Sequence, residues 1–352
     1  MHRHLIALSL SFILPQLAVA QTARDRELAA RFAPTFHQGL GDHPRADYIT
    51  NFDFDGDWRG DNNWAHADDP RFALRAYVYY AVSETATHYF IHYALFHPRD
   101  YKGGGLRGPL LSEAIREGVR RGGKYDPTGL SAEAVLAHEN DMEGCLVVVE
   151  KGGAGGRPAR VTMVETLSHD RFLKYVTEHE PRTGFGRVAL QDGRPQLYVE
   201  PKGHGVNALA PDDKQPRAGE TLTYQFAGQA GNPEQAKDGR TGYDLLPLIR
   251  TLWPRARKGV GLTYGAPQTF QLAPAAATGR KLNVTAGSAF LGKVGAPNMA
   301  RPPWGWFDRE ERGAAPGEWF FDPAKTIKRH FTLGDDFGTR YLHAPFLGIK
   351  RK

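Results

Sequence analysis

The segment His138-Glu-Asn-Asp-Met-Glu-Gly144 brings three ligand-type side chains, His138, Asp141 and Glu143, into one short stretch. If Asp141 opens a strand that continues through Val149, Asp141 and Glu143 stand two apart and project from the same face. His138, three residues earlier, can fold over that face from the approach turn. Carboxylate oxygens and an imidazole converging at a strand edge suit a divalent ion, Ca2+ or Mg2+ first, with Mn2+ and Zn2+ also accommodated. The same residues can instead form the polar start of a strand, their acids taking hydrogen bonds from nearby backbone amides.

Other ligand or catalytic patterns are less complete. Asp53, Asp55 and Asp57 alternate like the start of a calcium loop, but the twelfth position is Trp64 where such a loop needs Glu, so a polar turn is expected. His88 and His92 share one face of an aromatic strand, and His92 is a candidate for lining or supporting the site. Gly103-x-Gly-x-x-Gly108 does not follow an apolar strand as a dinucleotide fingerprint would. Ser168-His-Asp170 has triad residue types side by side, without the separate positions and nucleophile elbow a triad requires.

The elements that must position these residues are mostly strands. The runs 73–82 and 88–96 are β-branched and aromatic, separated by polar residues, and predict a hairpin. Cys145 to Val149 and 159–167 predict two further strands, and Arg187 to Leu190 with Gln196 to Val199 predict a hairpin turning at Asp192-Gly193. Residues 22–33 predict a leading helix stopped by Pro34, and 243–253 read as a short helix or buried segment. The expected fold is mainly β: an antiparallel β-sandwich with peripheral helices and long loops. It forms a single domain over 21–352, with an insertion at about 101–137 and a loop-rich C-terminal extension from about residue 240.

Residues 1–20 have a short basic start, the apolar run Leu5 to Leu17 and the small-residue end Ala18-Val-Ala20, the pattern of a cleaved signal peptide. Export to a secreted or periplasmic location is expected, with no transmembrane segment after cleavage. The remaining chain has 44 basic and 39 acidic residues, +5, an excess spread too evenly for specific nucleic-acid binding but compatible with anionic surfaces. Cys145 is the only cysteine, so no disulfide within the chain is possible, and its apolar surroundings predict a buried thiol.

Three motifs carry a family resemblance. Segment 138–144 resembles the G-H-R-H-D-W-E heptapeptide of the necrosis- and ethylene-inducing-peptide-like proteins, secreted cytolysins of plant-associated microbes, and the related segment of the vacuolar-sorting-protein family. His138, Asp141 and Glu143 stand at the offsets of three and five that the family's ligands keep. Tyr93-Ala-Leu-Phe-His-Pro-Arg-Asp100 is similar to the family's aromatic strand ending in Pro-Lys-Asp, which implies Asp100 as a fourth ligand. Leu197-Tyr-Val-Glu-Pro-Lys-Gly-His204 is similar to a later strand ending in histidine, which implies that His204 lines the site. The resemblance spans about residues 30–205. Glu139, Asn140 and Met142 depart from the cytolysin heptapeptide, so the metal site is implied and the toxicity is not.

Three functions follow as expectations. The first is a metal-dependent binding protein for an anionic lipid, glycan or small-molecule ligand. The second is a metal-dependent hydrolase of phosphodiesters, esters or glycosides, with Glu143, Glu139 or His204 carrying a proton. The third is a structural protein stabilised by its ion.

Overall fold

The computed structural model describes residues 23–100, 137–153, 156–180, 182–214, 221–258, 261–272, 282–294, 300–312 and 314–351. The signal-peptide segment 1–20, the insertion up to residue 136 and the run Gly103-x-Gly-x-x-Gly108 lie outside the described residues.

A leading helix over 23–31 ends ahead of Pro34 and buries Ala29. The strands that follow are β1 (Thr35–Gly39), β2 (Tyr77–Thr85), β3 (His88–Asp100), β4 (His138–Glu150), β5 (Arg160–Ser168), β6 (Arg171–Val176) and β7 (Gly186–Arg187). After them come β8 (Leu190–Gln191), β9 (Arg194–Val199), β10 (Val206–Ala208), β11 (Thr221–Phe226), β12 (Arg240–Pro247), β13 (Pro267–Leu272), β14 (Leu282–Gly287) and β15 (Tyr341–His343). The expected hairpins form: β2 pairs with β3, and β8 with β9 across Asp192 and Gly193, whose φ values of 52° and 74° suit a tight left-handed turn.

The antiparallel sandwich does not form. Among the described residues thirteen strands make one mixed sheet in the order β10-β9-β1-β11-β12-β2-β3-β4-β5-β6-β7, with β8 on β9 and β15 on β2. The pairs β1/β9, β11/β12, β12/β2 and β6/β7 are parallel. Short hairpin turns generate only antiparallel neighbours, so these parallel ladders come from segments that return after a crossover, which local sequence patterns do not reveal. The run 243–253 shows the effect: it is strand as far as Pro247, then a 3-10 turn, then a helix over Leu252–Ala256.

Strand twist curls the sheet until β10 comes against β5 and β4, giving a half-barrel. Inside the curl lie Phe36, Val78, Tyr93, Cys145, Val147, Leu197, Tyr224 and Tyr243, with Phe32 from the end of the leading helix. The opposite face of β3 and β4 presents Phe96, Met142 and Leu146 to the aromatic C-terminal part, including Trp253, Phe290, Trp304 and Trp319. Alternation along β3 and β4 thus supplies two cores from one sheet.

At Gly144 the second core packs directly on the backbone. A Cβ there would lie 2.1 Å from the Tyr93 carbonyl oxygen and 2.7 Å from Trp306 Cη2. The Trp306 indole N–H is shared by the carbonyls of Met142 (3.0 Å) and Arg301 (2.9 Å), fixing the C-terminal segment over the strand that carries Asp141.

Candidate metal centre

The β3/β4 ladder sets the geometry. Its register pairs Asp100 with His138, Arg99 with Glu139, His97 with Asp141 and Leu95 with Glu143. Asp141 and Glu143 follow the alternation of Cys145 and Val147, the residues that point into the curl. Asn140 interrupts the regular strand with φ 66°, a left-handed conformation that asparagine tolerates. Its side chain donates to the carbonyls of Gly60 and Leu291 and accepts from Asn63 Nδ2 at 2.6 Å.

Asp141 meets two histidines from separate elements. His204, in the left-handed region with φ 53°, lies in the turn between β9 and β10, and its Nδ1 lies 2.8 Å from Asp141 Oδ2. His204 Nε2 lies 3.3 Å from Asp47 Oδ1. Asp47 is held in turn by the backbone N–H groups of Gly41 and Lys202, each at 2.7 Å. His97 stacks on His204 with ring centroids 3.7 Å apart and planes within 3°. Its Nε2 lies 3.0 Å from Gln38 Oε1. The Gln38 amide orientation is fixed because its Nε2 donates to the carbonyls of Gly39 and Glu200.

One ligand atom from each of His97, Asp141 and His204 lies within 4.8 Å of the others, and all three residues are buried. His97 Nδ1 is buried with no hydrogen-bond partner among the described residues. Two imidazoles, one of them with an orphaned ring nitrogen, and a carboxylate are a donor set that fits a divalent ion.

The charges are interdependent. Burial, then the neighbouring charge of His204, holds His97 well below the usual histidine range, so it is neutral. Burial also opposes a charge on His204, but hydrogen bonds to Asp141 and Asp47 outweigh it and raise the pKa to about 9. For Asp141 burial is likewise overcome, chiefly by the hydrogen bond and charge of His204, and the carboxyl lies below the usual carboxylate range.

The other sequence-selected residues are distributed around this centre. Asp100 and His138 face each other with Oδ2 and Nε2 3.6 Å apart. Glu143 is buried on the Asp141 face, where its charge reaches Arg301, a donor to Asp170 at 3.2 Å. The structure therefore groups Asp141 with His97 and His204, while Asp100, His138 and Glu143 flank the group. Glu139 ties down loops: its carboxylate accepts from the backbone N–H groups of Trp64 (2.9 Å), Val294 (3.3 Å) and Lys293. His92 lies in the outer core, against Trp319 and Phe320, with Nε2 3.3 Å from the Trp319 carbonyl. Asp55 and Asp57 cap their own turn through the N–H groups of Asp57 and Arg59.

Sequence reasoning missed His97, Gln38 and Asp47. His97 was visible as a histidine three residues before Asp100, but its importance depends on the β3/β4 register. Gln38 stands in an ordinary strand and Asp47 at the end of the short helix Pro44–Asp47, with no distinguishing pattern.

No protein-family model matches the chain, and no curated protein matches its sequence. Solved structures do show a likeness. Necrosis and Ethylene inducing Protein 2 from the causal agent of cocoa's Witches Broom disease is 16% identical, over 54% of this chain and 70% of that one, with a TM-score of 0.30. NLPPya in complex with mannosamine is also 16% identical, over 54% of this chain and 68% of that one, with a TM-score of 0.28. The chain resembles the necrosis- and ethylene-inducing proteins. The resemblance is remote and partial, and the mixed sheet and the His97–Asp141–His204 grouping are read from this chain alone. Among the described residues no helix is long and apolar enough to cross a membrane.

Proposed function

We propose that this chain is an exported divalent-metal-binding protein that recognises a polar small molecule or glycan headgroup at the Asp141 end of the curled sheet. One observation carries the reading: a buried carboxylate and two buried imidazoles gathered within reach of one ion, with His97 Nδ1 left without a partner among the described residues. When bound, an ion there supplies a concentrated positive charge for hydroxyl or carboxylate oxygens. Asp100, His138 and Glu143 flank it and provide acceptors and donors that orient a polyhydroxylated ligand. The same protein, as one domain over 21–352 behind a cleaved leader, is the unit proposed to bind.

The test is elemental analysis of purified wild type and Asp141→Ala, followed by calorimetric titration with amino sugars before and after chelation. The expected result is about one equivalent of a divalent ion in wild type, none in the variant, and chelator-sensitive ligand binding. Metal-free wild type that stays metal-free after incubation with divalent ions would overturn the proposal.

A further inference from the structure

The contacts behind the two histidines go further than a general affinity for cations. His204 Nε2 faces the Asp47 carboxylate, and His97 Nε2 faces the Gln38 carbonyl oxygen. Both partners accept hydrogen bonds, so each ring carries its proton on Nε2 when it acts as a ligand, leaving Nδ1 as the lone pair on both. Nδ1 of His204 is the atom facing Asp141, and Nδ1 of His97 is the buried nitrogen without a partner among the described residues. Acceptors that fix a histidine's tautomer and orientation are the usual outer support of imidazole-bound metals. Asp47 and Gln38 are themselves anchored by backbone groups at Gly41, Lys202, Gly39 and Glu200.

We infer that His97 Nδ1, His204 Nδ1 and an Asp141 oxygen form a nitrogen-rich site for a borderline transition ion of the Zn2+ or Co2+ class, with Gln38 and Asp47 as its positioning residues. This rests on the proposed metal-binding function and replaces the oxygen-rich preference for Ca2+ or Mg2+ expected of Asp100, His138, Asp141 and Glu143. Imidazole donors favour zinc, cobalt, nickel and copper, whereas calcium and magnesium require mostly oxygen. Closing on one ion takes a tilt of the rings, because an imidazole lone pair lies in its ring plane and the two planes lie within 3° of parallel. Asp47→Asn and Gln38→Leu are expected to weaken the ion by about 10- to 100-fold, as changes to such supports do.

The experiment is titration of metal-free protein with Co2+, read by its visible absorption, and with Zn2+, Ca2+ and Mg2+ by calorimetry. Wild type is expected to develop a cobalt band that Zn2+ abolishes. His97→Phe, which keeps a stacked ring, should lose a nitrogen ligand and alter the band, while His92→Leu in the outer core should keep it. If wild type shows no cobalt band and takes up Ca2+ or Mg2+ in a Glu143-dependent manner, the inference falls and the metal-binding reading stands. If no divalent ion binds, both fall. The wild-type band requires no variant to fold, and a cobalt band unchanged in Asp47→Asn and Gln38→Leu would remove their positioning role.

Discussion

The C-terminal segment is fastened to the sheet by a buried charge, and that charge can be titrated. His330, at the end of the helix Pro323–His330, directs Nδ1 at Glu165 Oε1 (2.6 Å) and Nε2 at Glu311 Oε1 (2.8 Å). Glu165 is fully buried on β5 and also accepts from Trp319 Nε1 at 2.7 Å. Burial alone would lower the His330 pKa, but the charge of Glu165 and hydrogen bonds to both acids raise it to about 9. The unfolded histidine titrates at about 6.5, so the folded form holds its proton more tightly by a free energy of about 3 kcal/mol. That stability is fully present below pH 6.5 and fades as the pH rises through 9. Glu311 reports the same interaction from the acid side. Burial opposes its charge, yet His330 and Arg329 lower its pKa to about 2, so this contribution fades below about pH 4.5. The assay is urea unfolding of wild type and His330→Ala at pH 6 and pH 9. The difference between the two proteins should shrink by about 3 kcal/mol at the higher pH, leaving as the residual cost the cavity and a buried Glu165 that keeps the Trp319 donor but has lost its cationic partner. A difference that is the same at both pH values would refute the assignment of a charged His330.

His92 gives the opposite pH behaviour: burial lowers its pKa to about 3, so protonation of the unfolded chain below pH 6.5 drains stability, and His92→Leu should lose less stability on acidification from pH 7 to 4 in thermal melts. Gly144→Ala places its methyl against the Tyr93 carbonyl, which the β3/β4 ladder holds in place; a loss of at least about 2 kcal/mol, or failure to fold, is expected by circular dichroism. Burial pushes the Cys145 thiol well above its ordinary range, so a thiol reagent should leave native protein unmodified at pH 8 and label it completely in denaturant. Rapid labelling of native protein would place Cys145 outside the core.

What could be read from the sequence was local. The β2/β3 hairpin, the continuation of β4 through Val149 and the turn at Asp192-Gly193 all follow from short patterns, and each is present. The position of β12 between β11 and β2 was hidden because both of its ladders are parallel, and a parallel partner is set by a crossover and not by any local turn or spacing. The candidate site divides in the same way. Asp141 was found through its neighbours in sequence, and His204 through a motif. His97 became a candidate only through its cross-strand pairing with Asp141, and Asp47 only through the turn that brings His204 across the sheet. Contacts between segments so distant along the chain leave no spacing to read.

The placement of β12 also determines when the molecule can become whole. In hydrogen-bonded order, β1, β9, β10 and β11 lie on one side of it and β2 through β7 on the other. Hydrogen bonding therefore joins the two halves through residues 240–247, although six of the ten strands just named precede residue 180. A chain released from its site of synthesis, or from a membrane channel, starting at its amino end would carry exposed edges on both halves until that strand arrives. Folding is thus committed late, and a break in the chain before residue 240 would leave two separate sheets in place of one continuous half-barrel.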